Sequence, residues 1–167
     1  IYLNYDKVPD KIEDIKPNDI ENIVNAKYIF NAAYRENGQR NYIINGLNKA
    51  DDEDIVMISD VDEIPKLNNF KFQNIKKKLI FFNQDMFYYK FNLMYENLIW
   101  HGSKACKKKF FISPQWLRNV KHKKYPMWRL DLIFSKIKYN DIYCVKNGGW
   151  HFTNIKSPED LEKKFLQ

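Results

Sequence analysis

Twelve residues constrain this chain more than any others: Asp54-Ile55-Val56-Met57-Ile58-Ser59-Asp60-Val61-Asp62-Glu63-Ile64-Pro65. Ile55 to Ile58 is a short apolar run bounded by acidic residues, the pattern of a strand buried on both faces in a parallel sheet. Asp60, Asp62 and Glu63 follow, three carboxylates that repel one another unless a cation sits among them. Pro65 has no N–H to give to a ladder and stops the strand. The chain therefore sets hard oxygen ligands at the C-terminal end of a buried strand, where open α/β sheets bind ligands.

One domain, 1–167, is expected from the length of 167 residues, which is enough to bury a real core. Ile1 already reads as the inside of a strand, which points to a chain trimmed before it and after Gln167. The aromatic fraction is high at 16%; such side chains supply burial and also platforms for sugars and bases. The formal charge is +7, and no acidic residue lies between Glu96 and Asp131. Lys104, Lys107, Lys108, Lys109, Arg118, Lys121, Lys123, Lys124 and Arg129 all fall in that stretch. It is either a solvated face or one that attracts phosphates, nucleic acid or an anionic membrane surface. Cys106 and Cys144 are too few for a disulfide framework, and their spacing leaves pairing open. No run approaches a membrane span.

Strands are expected at Ile1–Tyr5, Leu79–Phe82, Asp85–Leu93, Ile99–Trp100, Lys109–Ile112 and Ile142–Val145. Helices are expected at Asn18–Asn25, at Lys27–Ala50 with Gly38 marking a break, and at Leu67–Lys78. Ser113-Pro114 and Ser157-Pro158 each read as an N-cap followed by a proline in the first turn. Leu130–Lys138 fits helix and strand equally. In the second helix Ala33, Glu36, Arg40, Ile43, Ile44 and Leu47 share a face. Glu36 and Arg40, spaced i, i+4, either pair with each other or present Arg40 to an anionic ligand at the strand end.

Asp60-Val61-Asp62 carries the clearest chemistry. Alternating carboxylates at a strand end can hold Mg²⁺ or Mn²⁺ and leave positions for water and a substrate phosphate. An EF-hand loop is excluded, because Pro65 stands where its glycine is required. His151, in Gly148-Gly149-Trp150-His151-Phe152, is either a packed core residue or a third metal ligand. Trp100, Trp116, Trp128 and Trp150 are core candidates, with Trp150 or Trp100 the one best placed to stack on a sugar.

Together these motifs resemble glycosyltransferase family 17, over about Tyr34 to Phe165. Three blocks carry the resemblance: Arg35-Glu36-Asn37 through Arg40-Asn41 to Gly46-Leu47; Ile58 to Pro65, the most specific; and Gly148 to Phe152 followed by Ile155-Lys156. The family has sequence before Ile1, supplying a first nucleotide-binding strand, and a short His-containing stretch beyond Gln167. The resemblance implies an α/β fold of GT-A type, a Rossmann-like sandwich around a mixed, mostly parallel sheet. It implies an inverting, metal-dependent transfer of N-acetylglucosamine from a UDP-sugar donor to a glycan or glycoprotein acceptor, as in bisected N-glycans. No specific nucleic acid is expected.

On this reading Asp60, Asp62 and His151 hold Mn²⁺ or Mg²⁺. Arg35, Arg40, Asp60, Val61, Asp62 and Trp150 meet the donor. The base is Glu63, Asp85, Glu96 or Asp131. Glu63 ranks first because it lies within the motif, although it serves equally well to orient the metal ligands. The alternative is a catalytically inactive basic module for nucleic acid or an anionic membrane.

Overall fold

The computed structural model describes residues 5–6, 9, 11–123, 125–126, 128–129 and 131–166. The strand expected at Ile1–Tyr5 lies, apart from Tyr5, outside them. The chain divides into two compact units, 1–50 with 112–116, and 51–111 with 117–167.

The first unit is built on one helix, α1 (Glu21–Tyr42), continued by a 3-10 turn over Ile43–Leu47. The two helices expected here are one, and Gly38 does not break it. A Cβ at Gly38 would strike the Tyr5 hydroxyl, so the missing side chain makes room for the incoming segment. Asn31, buried in α1, ties down that segment from both sides: Oδ1 accepts from Glu13 N and Nδ2 donates to Glu13 O.

The second unit is a curled sheet of strands β1 (Ile55–Ile58), β2 (Glu63–Pro65), β3 (Leu79–Tyr88), β4 (Met94–Lys107), β5 (Ile142–Val145) and β6 (Gly149–Thr153). The order is β1-β4-β3-β6-β2, with β5 also paired to β3. Helices α2 (Pro114–Asn119), α3 (Asp131–Phe134) and α4 (Pro158–Leu166) follow the hairpin of β3 and β4. The architecture is thus mixed α/β.

The sheet is not mostly parallel, as the resemblance implied. β1–β4, β2–β6 and β3–β4 are antiparallel, and only β3–β5 and β3–β6 are parallel. A short turn after Tyr88 sends β4 back along β3, and a connection that short can only give antiparallel neighbours. The burial signature read into β1 belongs instead to β3. Leu79, Ile80, Phe81 and Phe82 are all buried, whereas burial in β1 alternates, with Val56 and Ile58 covered.

Two other expectations change. Leu67–Lys78 has only a 3-10 turn at Phe72–Asn74. Phe70 and Phe72 pack edge-on to each other and against Phe82, and this burial overrides a weak helical pattern. The strand expected at Ile99–Trp100 lies within the longer β4, whereas the one expected at Lys109–Ile112 does not form: a 3-10 turn at Lys108–Phe110 and a loop stand there, while Leu79–Phe82 and the start of Asp85–Leu93 join into β3. Both caps form as expected: Ser113 Oγ accepts from Trp116 N, and Ser157 Oγ from Asp160 N. Cys106 and Cys144 are free thiols. They flank β3 on opposite sides, in register with Leu79 and Phe81. Two strand spacings, roughly 9–10 Å, exceed the reach of a disulfide.

Candidate functional site

The acidic motif is the turn between β1 and β2. Glu63 N donates to Asp60 O at 3.0 Å and closes it. Val61 is at the tip and fully exposed. Asp62 O accepts from Phe152 N at 2.9 Å, which fastens the turn to β6. The carboxylates therefore do sit beyond the C-terminal end of β1.

The three acids have different partners. The Glu63 side chain is 1% exposed. Its Oε1 accepts from Trp100 Nε1 at 2.8 Å and from Arg118 Nη2 at 2.9 Å. Its Oε2 accepts from Arg118 Nη1 at 2.9 Å and from Asp60 N at 3.0 Å. Both oxygens are thus doubly occupied and shielded from water. A general base needs a lone pair facing the proton it takes, so Glu63 is a structural anion rather than the expected base.

Arg118 is the residue that sequence reasoning missed. Its Nη2 also reaches Asp60 Oδ2 at 2.7 Å, and its Nη1 donates to Gly102 O. One guanidinium therefore orients two of the three acids, a task suited to its planar fork. In the sequence Arg118 was one cation among nine in a basic stretch. The only local hint was its place on a helix capped by Ser113.

The rest of the scaffold comes from a bulge. Between the pairs Asn83↔His101 and Phe81↔Lys104, β4 carries one more residue than β3. Such bulges re-aim side chains beside functional sites. Ser103 Oγ meets Ser59 Oγ at 2.6 Å and accepts from Gln84 Nε2 at 3.1 Å. A Cβ on Gly102 would strike Gln84 Oε1 and come within 2.7 Å of the Glu63 carboxyl. Lys104 is buried; its Nζ donates to Arg118 O and Val120 O at 2.6 Å each and lies 4.6 Å from the Phe81 ring centre. Burial, and then the nearby Arg118 charge, push this ammonium down to about 8.

Asp62 meets β6 instead. Its Oδ2 lies 3.2 Å from His151 Nε2. His151 stacks on Trp100, with ring centres 4.8 Å apart and planes 18° apart. Its Nδ1 is buried with no hydrogen-bond partner. Glu63 and His151 are cross-strand partners and share a face of the sheet. Trp150 alternates to the other face, in register with Ile64 and Asp85. The donor-stacking role expected of Trp150 is therefore displaced from the Asp62–His151 side, where Trp100 stands.

Of the remaining candidates, Arg35 is exposed on α1 in the first unit. Arg40 bonds Glu36 and Gln115 within that unit, so the i, i+4 pair exists. Asp131 is exposed and clamped by Arg129 and Lys138 at 2.7 Å each. Hydrogen bonds from those two cations hold its carboxyl at about 2, which leaves it a weak proton acceptor.

A divalent cation suits the donors in part. Arg118 answers Asp60 and Glu63, and among the described residues Asp62 has no Arg or Lys ion pair, only the His151 imidazole. Asp62 and His151 offer a hard oxygen and an imidazole, both less than 4 Å apart. The expected set of three with Asp60 is not assembled: among the described residues no three His, Cys, Asp or Glu side chains converge, and Asp60 is held by Arg118. A Mg²⁺-type ion needs only one or two carboxylates when substrate phosphates and water complete its shell.

The chain matches no protein-family model, no curated protein and no solved structure in comparisons with each. No helix among the described residues is long and apolar enough to cross a membrane.

Proposed function

We propose that this chain is a metal-dependent inverting glycosyltransferase of GT-A type that moves a sugar, N-acetylglucosamine foremost, from a UDP donor to a glycan. The observation that carries the reading is the Asp62–His151 pair at the turn after β1, set on a rigid Glu63–Arg118 base. Asp62 and His151 would hold Mn²⁺ or Mg²⁺, with Asp60 beside them. When bound, the ion neutralises the diphosphate and makes it a better leaving group.

The chain's own residues do the positioning. Arg118 fixes Asp60 and Glu63, and Trp100 holds the His151 ring flat and shields it. In the transfer the acceptor hydroxyl oxygen bonds to the anomeric carbon as the bond from that carbon to the diphosphate breaks. The diphosphate leaves with the electron pair, and the hydroxyl proton passes to a base. With Glu63 saturated, Asp131 clamped and Asp85 on the Trp150 face of the sheet, the exposed Glu96 is the candidate carboxylate left for that role.

Calorimetry with UDP and Mn²⁺ tests the proposal. UDP binding that requires the metal and disappears in Asp62→Ala supports it. Absence of UDP binding, together with tight and salt-sensitive RNA binding, would favour a basic binding module instead.

A further inference from the structure

The outer half of the β3–β4 hairpin is more exposed and more aromatic than a free hairpin needs to be. From Phe91 to Ile99 every residue is exposed, including Phe91, Leu93, Met94, Tyr95, Leu98 and Ile99. An open groove of about 550 Å³ lies here, lined by Tyr88, Tyr89, Leu93, Met94, Tyr95 and Leu98.

We propose that this groove binds the rings of an uncharged saccharide, the acceptor of the reaction proposed above, and the inference rests on that reading. Four observations support it. First, none of the lining side chains is charged, although the protein carries +7. A nucleic acid or anionic lipid would leave its charge unanswered there, whereas a neutral ligand would not. Second, three of the six residues are tyrosines, which offer a flat apolar ring for the C–H face of a sugar and a hydroxyl for its O–H groups. Tyr88 and Tyr95 meet at 86° with centres 6.2 Å apart, and Tyr88 and Tyr89 lie 5.8 Å apart. The rings thus form walls of a groove rather than a flat stack.

Third, Tyr89 has φ +65°, a left-handed conformation rare for a bulky residue and concentrated at ligand clamps. The turn holds it there: Tyr89 N donates to Thr153 O at 3.2 Å, and Tyr88 N to Leu93 O at 3.0 Å. Fourth, the groove adjoins the acidic turn. Met86 is in register with His151, and Tyr88 with Thr153. Tyr88 is two residues beyond Met86 and so points to the His151 face, roughly 7 Å further along the strand. A glycan lying on the tyrosines would reach toward Asp62 and His151 with its terminal ring.

A printed panel of neutral glycans, read beside UDP–Mn²⁺ calorimetry on the same protein, tests the inference. Wild type should retain some glycans, with retention falling at least about tenfold in Tyr88→Ala and Tyr95→Ala. UDP affinity and melting temperature should stay unchanged in Tyr95→Ala, whose side chain is on the surface. Failure to retain any glycan by protein that binds UDP overturns the groove and leaves the transferase reading intact. Retention indifferent to both substitutions overturns it too, as does a concentration-dependent dimer that Tyr95→Ala dissolves, since a second copy would then cover the patch. Variant-sensitive glycan retention without UDP binding keeps the groove and removes the transferase.

Discussion

Arg118 and Glu63 meet as a two-pronged fork, each guanidinium nitrogen 2.9 Å from its own carboxylate oxygen, with the glutamate side chain 1% exposed. A buried charge left without its partner costs about 3–5 kcal/mol. Arg118→Met should therefore lower the unfolding free energy by that order in denaturant melts. Arg118→Lys should recover little, because a lysine cannot answer both oxygens. A loss below ~1 kcal/mol in Arg118→Met would show that the fork does not hold the turn.

Gly102 leaves no room for a methyl group. In Gly102→Ala the new Cβ strikes Gln84 Oε1 and crowds the Glu63 carboxyl. A loss of about 1–3 kcal/mol is expected, the usual range for overpacking. Shortening the neighbour should relieve part of it, so Gly102→Ala with Gln84→Ala should cost less than the sum of the two alone. Strict additivity in that cycle counts against the steric account.

His151 and Trp150 are adjacent in sequence and face opposite ways, and ligand binding should separate them. His151→Ala is expected to weaken metal-dependent UDP binding at least about tenfold, the scale of losing a ligand or its support. Trp150→Ala should leave UDP binding within about twofold. Val61→Ser, at the exposed tip, should change stability by no more than ~0.5 kcal/mol. Equal losses in the histidine and tryptophan variants would mean that the donor lies across both faces.

Lys104 gives a pH dependence with a definite sign. Its pKa is lowered from 10.5 to about 8, chiefly by burial. Below about pH 8 both folded and unfolded chains carry the proton, and the penalty of burying it is fully present. Between about 8 and 10.5 the unfolded chain binds more protons, so stability rises with pH through this window. Relative to Lys104→Met, the wild type should gain on the order of 3 kcal/mol between pH ~7 and ~10.5. Urea melts of both proteins across that range measure it, and parallel curves would exclude it.

The two thiols should behave as separate groups, Cys106 buried and Cys144 half-buried. Burial raises Cys106 to about 12 and raises Cys144 to a lesser degree. The thiolate is the reacting form, so iodoacetamide at pH ~8 should label Cys106 only on unfolding. Non-reducing mass measurement should show no internal disulfide, and finding one would contradict their placement on either side of β3.

Local chemistry was the most legible part of the sequence. Ser113 and Ser157 announced their helices because a cap is read from four adjacent residues. Asp60 to Asp62 announced a turn after a strand for the same reason. His151 was legible as a partner of the acidic turn only because it stands beside a glycine pair. Sheet direction was not legible: an apolar run such as Ile55–Ile58 suits either orientation, and the return of β4 along β3 decides it. Leu67–Lys78 misled because the partner of its aromatics, Phe82, is distant in sequence. Arg118 was hidden by its company, since eight other cations in the stretch carried the same local signature. What distinguishes it is where α2 places it relative to Glu63.

The antiparallel pairing of Glu63 with His151 also has a consequence for how the protein is made. It joins two strands far apart in sequence, at Glu63 and His151, and contacts so remote form slowly because a large loop must first close. During synthesis the acidic turn leaves the ribosome well before Gly149–Thr153 exists to meet it. Until then Asp62 lacks its imidazole and β2 lacks the partner that β6 gives it, so the chemistry of the site is assembled late, on a β3–β4 hairpin that can form early.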